Sequence, residues 1–215
     1  MARSFTAASS QYLSATSAVA TAPPLTLAAW ARITDTSTQT GRDIVALSSK
    51  TGRSVYRLNW NGFNSPPIRA FDQGSANAAA YFGTPTVNTF FHVAGVFTSS
   101  ISRTPYFNGS AGTTNTDSVT HSSLPDTTSI SAFFDGNSTP LQYFLGDIAE
   151  VGIWNAALTA DEIASLAKGM TPDKIRPQSL VFYAPLVRDL IDQKGGLTIT
   201  NNNGATVANH PRIYP

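Results

Sequence analysis

The sequence predicts an all-β protein built as a two-sheet antiparallel sandwich, with one short helix near 160–168. Three observations carry this. Short segments of alternating apolar residues recur along the chain, separated by Gly, Pro and Asn. One segment alone shows a capped helical stripe. The chain has 215 residues and no cysteine. A chain of that length buries roughly 70% of its unfolded surface and needs no covalent staple.

The strands follow in order. Leu25, Leu27, Ala29, Ala31 and Ile33 share one face of a strand that starts after Pro23-Pro24. Trp30 lies on the other face, so both faces are at least partly covered. Ile44 to Ser48 is a short apolar run, and Ser54 to Trp60 alternates with Tyr56, Leu58 and Trp60 together. A loop with Asn61, Gly62, Phe63, Asn64 and two prolines leads to a strand at Ile68 to Phe71. Phe90 to Thr98 is the next, and Thr104 to Phe107 ends in Asn108-Gly109, a strong two-residue hairpin signal. The Thr/Ser-rich residues 110–129 read as a hairpin with long loops. In the strand Gly146 to Asn155, strict alternation puts Ala149, Val151 and Ile153 on one face. Leu180 to Leu186 follows, and the last residues, with Pro211 and Pro215, read as an extended tail suited to lie along a neighbour. In the helix, Thr159 and Glu162 form a capping box, Leu158 and Ile163 a hydrophobic staple, and Gly169 a stop. At two and a half turns it must pack on the sandwich to persist. No linker or repeat interrupts the chain, so 1–215 reads as one domain, with a C-terminal strand and tail over 176–215.

Composition limits the function. Charged residues make up 13% of the chain, against roughly 25% in ordinary soluble domains. The net charge is +1 with the basic residues scattered, which argues against nucleic acid as a partner because no basic stripe could neutralise phosphates. No run of 18 apolar residues would span a membrane, and no apolar stretch after Arg3 would serve as a secretory signal.

Several segments together resemble a laminin-G-like domain of the concanavalin A-like superfamily. These are Phe5 with Ser10-Gln11-Tyr12-Leu13, Leu25 to Trp30, Phe91 to Phe97, Tyr106-Phe107-Asn108-Gly109, and Phe144 to Asn155 followed by Leu158 to Ile163. The resemblance runs from about residue 3 to 168 and implies a jelly roll of two antiparallel sheets, one concave. The abrupt start at Met1-Ala2-Arg3-Ser4-Phe5 and the segment from Arg176 through Tyr214 are similar to compact single-domain proteins of tailed phages. That implies a capsid-decoration or fibre component bound to its own copies or to other virion proteins, located on the virion. The alternative is a lectin-like carbohydrate-binding module that is secreted or sits on a cell surface.

Glycoside hydrolases share this superfamily, so the carboxylates are the first candidates for chemistry. A retaining mechanism needs two carboxyl groups about 5 Å apart. The chain has two Glu, Glu150 and Glu162, and Glu162 caps the helix. Asp147 and Glu150 differ by three, which on an unbulged strand puts them on opposite faces. The Glu-x-Asp-x-x-Glu pattern of the superfamily's glucanases is absent. The three His, His92, His121 and His210, show no Gly-x-Ser-x-Gly partner motif, and His92 reads as a core histidine. The chain is therefore expected to be no enzyme and to need no cofactor. Calcium, which some relatives bind at a sandwich rim, would draw on loop oxygens of Asp72, Asp135 and Asn137. A sugar needs an aromatic face edged by fixed polar groups. Trp60, Asn61, Phe63 and Asn64, with Tyr81, form the best cluster for it.

Overall fold

The computed structural model describes residues 2–37, 40–187 and 189–213. Two antiparallel sheets face each other. The first contains β1 (Ala2–Phe5), β3 (Leu25–Ile33), β8 (Phe91–Ser99), β9 (Ser102–Phe107), β10 (Ser110–Ala111), β12 (Gly146–Trp154), β13 (Leu180–Ala184) and β15 (Thr206–Ala208). Its order is β10-β9-β8-β3-β12-β1-β15, and β13 pairs with the second half of β12. The other sheet runs β14 (Thr200–Asn202), β2 (Tyr12–Ala15), β11 (Thr127–Ile130), β4 (Gly41–Ser48), β5 (Val55–Asn61), β6 (Ile68–Gln73) and β7 (Asn77–Tyr81). This is the expected jelly-roll sandwich.

The core lies between the sheets. Leu25, Leu27, Ala29, Ala31 and Ile33 of β3 meet Tyr56, Leu58 and Trp60 of β5, as the alternation requires. Residues as distant in sequence as Phe5, Leu13, Ile199 and Ala205 join the same cluster. The hairpin at Asn108-Gly109 forms with both residues at positive φ, 48° and 84°, the conformation that favours this dipeptide. A side chain at Gly109 would press on the backbone of Ala164, so the helix rests directly on that turn. The helix α1 (Ala160–Ala167) carries the expected capping box. Its Ile163 and Leu166 pack with Trp154, Tyr106 and Tyr183 on the outer face of the first sheet.

Three expectations are corrected. Residues 110–129 form no hairpin, because β10 extends the first sheet while β11 crosses to the second. In β12 the register shifts between Ala149 and Gly152, and Glu150 takes a φ of 51°. This is a bulge, so the core receives Ile148, Val151 and Ile153, and Ala149 turns away. The tail folds back onto its own sheet, where the His210 imidazole Nε2 lies 2.9 Å from Glu150 Oε1. Tyr214 and Pro215 fall outside the described residues.

Candidate functional site

The second sheet differs from a sheet with one wet face. Every residue of β5 and β6 is buried. Tyr56, Leu58 and Trp60 point into the core, and Arg57 and Asn59 point outward. The outward residues are buried because the segment 131–145 folds over them, with Phe133 against Ala46 and Val55. Beneath it the Arg57 guanidinium lies 3.8 Å from the centre of the Phe133 ring and 4.6 Å from that of Phe71. Arg69 stacks on the same Phe71 at 4.3 Å. Arg57 donates to Asp43 at 2.9 Å and to Gln142 Oε1 at 2.8 Å. Burial pushes the Asp43 carboxyl up to about 6, against the pull of Arg57 and Arg69. Burial likewise lowers the Arg57 guanidinium, opposed by Asp43.

At the end of this sheet opens a cavity of about 560 Å³, bordered by Thr40, Gly41, Arg42, Phe63, Gln142 and Tyr143. That volume lies in the roughly 300–1,000 Å³ range of small-molecule clefts. Phe63 stands at its edge with 66% of its surface exposed. Arg42 lies over the Trp60 ring at 5.5 Å. Burial lowers its guanidinium, and the surface carboxylate of Asp35 opposes this. Tyr143 donates its hydroxyl to the Pro140 carbonyl at 2.9 Å, which fixes the ring. Gly41 has to lack a side chain, because a Cβ there would run into the Gln142 amide.

The residues expected to bind sugar come together in part: Asn61 holds Phe63 and Asn64, while Trp60 turns inward and Tyr81 lies apart. Trp60 is 2% exposed and its ring is part of the core, so it cannot serve as a stacking face. The alternation that places it beside Tyr56 and Leu58 already implies this. Asn61 shapes the loop: its Nδ2 donates to Asn64 Oδ1 at 2.5 Å, and its Oδ1 accepts from the Phe63 backbone at 3.3 Å. Phe63 stays at the surface. Asn64 and Trp60 border a smaller pocket of about 210 Å³ together with Thr36, Ser65 and Thr84. Tyr81 lies further along the sheet, with its hydroxyl 3.4 Å from Arg69 Nη1. Arg42, Gln142 and Tyr143 were missed. Gln142 and Tyr143 come from a distant segment, and only the fold of 131–145 over the sheet brings them to Phe63; Arg42 arrives through the pairing of β4 with β5.

The proposed calcium ligands do not converge. Asp72 is not in a loop but in β6, where it faces inward beside Arg103 and His121. Asp135 lies on the opposite face, where Gln73 Nε2 donates to it at 3.1 Å and Arg53 pairs with it at 3.3 Å. The Asn137 amide donates to the Asp135 backbone carbonyl at 3.1 Å. A sheet therefore separates the two carboxylates. Among the described residues no group of three acidic or His side chains is placed to hold a metal.

Two arrangements relevant to catalysis emerged. The bulge in β12 defeats the expectation that Asp147 and Glu150 face opposite ways. Asp147 bonds Arg32 Nε at 2.6 Å, and Glu150 accepts from the Tyr183 hydroxyl at 2.6 Å, so both turn to the outer face of the first sheet. Both are buried and each is held by its own partner, so they line no open groove. The other arrangement is Ser54–His121–Asp72, with Ser54 Oγ 3.0 Å from His121 Nδ1 and His121 Nε2 2.9 Å from Asp72. No sequence motif announces it. A nucleophile must reach a substrate carbonyl, and Ser54 has no exposed surface. The three groups instead tie the 112–126 segment to β5 and β6.

The chain matches the family model described as the Concanavalin A-like lectin/glucanases superfamily over residues 7–164. No curated protein matches it. Among solved structures, a candidate carbohydrate binding protein from Bacteroides ovatus superposes with a TM-score of 0.66 at 17% identity. The alignment covers 95% of this chain and 58% of that one. A heptameric SAP-like pentraxin from Limulus polyphemus gives 0.62 at 13% identity, over 91% and 87% of the two chains. Domain 4 of AbnA, an extracellular arabinanase from Geobacillus stearothermophilus solved with arabinotriose, gives 0.55 at 16% identity, over 70% and 69%. At these identities the likeness is one of fold.

Proposed function

The chain belongs to the concanavalin A-like lectin/glucanase superfamily, and on that premise we propose that it is a non-catalytic module that binds glycan at the Phe63 cavity. The exposed Phe63 ring beside Gln142 and Tyr143 carries this reading. A sugar ring offers an apolar C–H face to such a ring and hydroxyls to the polar rim. Similar folds in a candidate carbohydrate binding protein and in an arabinanase domain solved with arabinotriose support it. Binding without cleavage is supported by the burial and pairing of Asp147 and Glu150, and by the burial of Ser54.

A glycan array followed by calorimetry on the best hit tests this. Phe63→Ala should weaken binding at least about tenfold, the loss of one aromatic contact of roughly 1.5 kcal/mol. The melting temperature should hold, since Phe63 is a surface residue. An array with no hit, or a Phe63→Ala variant that binds like wild type, sinks the reading.

At finer resolution we infer that the module works on a tailed-phage particle. The support is the resemblance of the terminal segments alone. Proteomics and antibody labelling of purified particles test it. Absence of the protein from the particles returns the module to a secreted or cell-surface setting.

A further inference from the structure

This inference rests on the glycan reading of the Phe63 cavity and concerns the length and charge of the glycan. The smaller pocket of about 210 Å³ adjoins that cavity, with Thr36, Trp60, Gly62, Asn64, Ser65 and Thr84 on its wall. Phe63 stands between Gly62 and Asn64 but borders the larger cavity. The loop is therefore a ridge with an opening on either side. Three backbone bonds hold the ridge in place. The Gly62 N–H donates to the Thr40 carbonyl at 3.0 Å, the Asn64 N–H to the Asn61 carbonyl at 3.1 Å, and the Asn61 N–H to the Pro67 carbonyl at 2.8 Å. Trp60 is almost wholly core, and this pocket is an opening that it borders. Its indole Nε1–H has no acceptor among the described residues, yet the nitrogen is not sealed from solvent. A donor so deeply set is costly unless something in the pocket accepts from it.

Asn64 adds a second donor. Asn61 Nδ2 occupies its Oδ1 at 2.5 Å, so the amide nitrogen is the end left for a ligand. The hydroxyls of Thr36, Ser65 and Thr84 form no hydrogen bond among the described residues. Hydroxyls both donate and accept, as those of a sugar do. Among the described residues no charged side chain borders this pocket. An ionised group moved into it would lose its water and gain no counter-charge. The volume is below the roughly 300–1,000 Å³ of independent clefts, and it suits one ring attached to a ligand already seated on Phe63. We propose that the two openings are consecutive subsites for a neutral saccharide of at least two linked units. One unit lies against Phe63, and the next crosses the ridge to bond Trp60 Nε1 and Asn64. Phe63 sets the affinity for a single unit, and the smaller pocket sets the minimum length.

The experiment uses calorimetry on the full chain with cello-, manno- and galacto-oligosaccharides, each as one, two and three units. In the series that binds, the step from one unit to two should tighten binding about tenfold or more, as a pair of new hydrogen bonds would. The step from two to three should add little. The same dimer with both units oxidised at C6 to uronates should show no such gain. Thr84→Trp and Thr36→Trp each fill the smaller pocket from an exposed position. Each should erase the gain and leave the affinity for a single unit unchanged. In nitrogen–proton spectra, the indole resonance that vanishes in Trp60→Phe should shift with the dimer and hold still with the single unit. Four results each overturn the inference: a single unit as tight as the dimer, a uronate dimer as tight as the neutral one, a gain that survives both fillings, or a Trp60 resonance that ignores the dimer. Loss of binding in Phe63→Ala would then still uphold the glycan reading. If none of the series binds, both fall.

Discussion

His92 shows how burial writes a pH dependence into a single residue. The strand pattern places it among apolar residues, and its ring lies in the sheet, edge-on to Trp30 at 5.6 Å. Burial pushes the imidazole down to about 3. In the unfolded chain it titrates near 6.5. The unfolded chain therefore binds the proton more tightly, and stability falls as pH drops from about 6.5 toward 3. Asp43 acts in the opposite sense. Its carboxyl rises from 3.8 to about 6 in the fold, so its contribution is full below about 4 and is lost as pH rises through 6. The two effects oppose each other between about 4 and 6. The expected outcome is that His92→Phe, which keeps an edge-on ring beside Trp30, flattens the acid side of the stability curve. Across the whole window the difference should be on the order of several kcal/mol. Urea unfolding at a series of pH values measures it. Parallel acid slopes for variant and wild type would show that His92 does not carry the effect.

Among the elements, the helix has the most clearly assigned supports. Glu162 accepts from the Thr159 backbone N–H at 2.7 Å and holds Arg176 through contacts of 2.9 and 2.6 Å. Burial pushes this carboxyl up, but the Thr159 N–H, Arg176 and the Thr159 hydroxyl together hold it below its ordinary value. Thr159→Ala removes one cap and should cost about 1 kcal/mol. Glu162→Ala should cost more, because it also frees Arg176, whose Nη1 spans to the Ala157 carbonyl at 3.1 Å. Chemical denaturation of both variants gives the order, and equal losses would mean the Arg176 clamp contributes nothing. The capping box, the staple and the Asn108-Gly109 turn were legible because each is a local pattern with a fixed spacing. The bulge at Glu150 was not. It adds a residue without any change in composition, and it reverses which way Asp147, Ile148 and Ala149 face. Trp60 shows the same limit for the site. An aromatic beside Asn and Gly resembles a sugar platform, yet the period of two in β5 outweighs that neighbourhood and sends the ring inward. Phe63 was legible because it stands in a loop between Gly62 and Pro66. Its partners Gln142 and Tyr143 depend on contacts across about 80 residues, which no local pattern encodes.

At the scale of the molecule, the family match ends at residue 164, but the sandwich does not. The segment after residue 199 contributes β14 to one sheet, beside β2, and then β15 to the other, beside β1. Between them Asn203 and Gly204 turn at positive φ, and Asn201 Oδ1 accepts from the Ala205 N–H at 2.9 Å. This short hairpin of chain therefore clips the two sheets together at one end, with Ile199 and Ala205 in the shared core. His210, docked on Glu150, carries the clip across the outer face. A sheet edge stripped of its partner offers unpaired N–H and C=O groups to other chains. We expect 1–215 to unfold as one unit, and a chain cut after residue 196 to lose both edges at once. It should melt well below the full chain and associate at concentrations where the full chain does not, which calorimetry and light scattering would detect. If the shortened chain melts at the same temperature and stays the same size in solution, the last strands are accessories, and the region matched to the family stands without them.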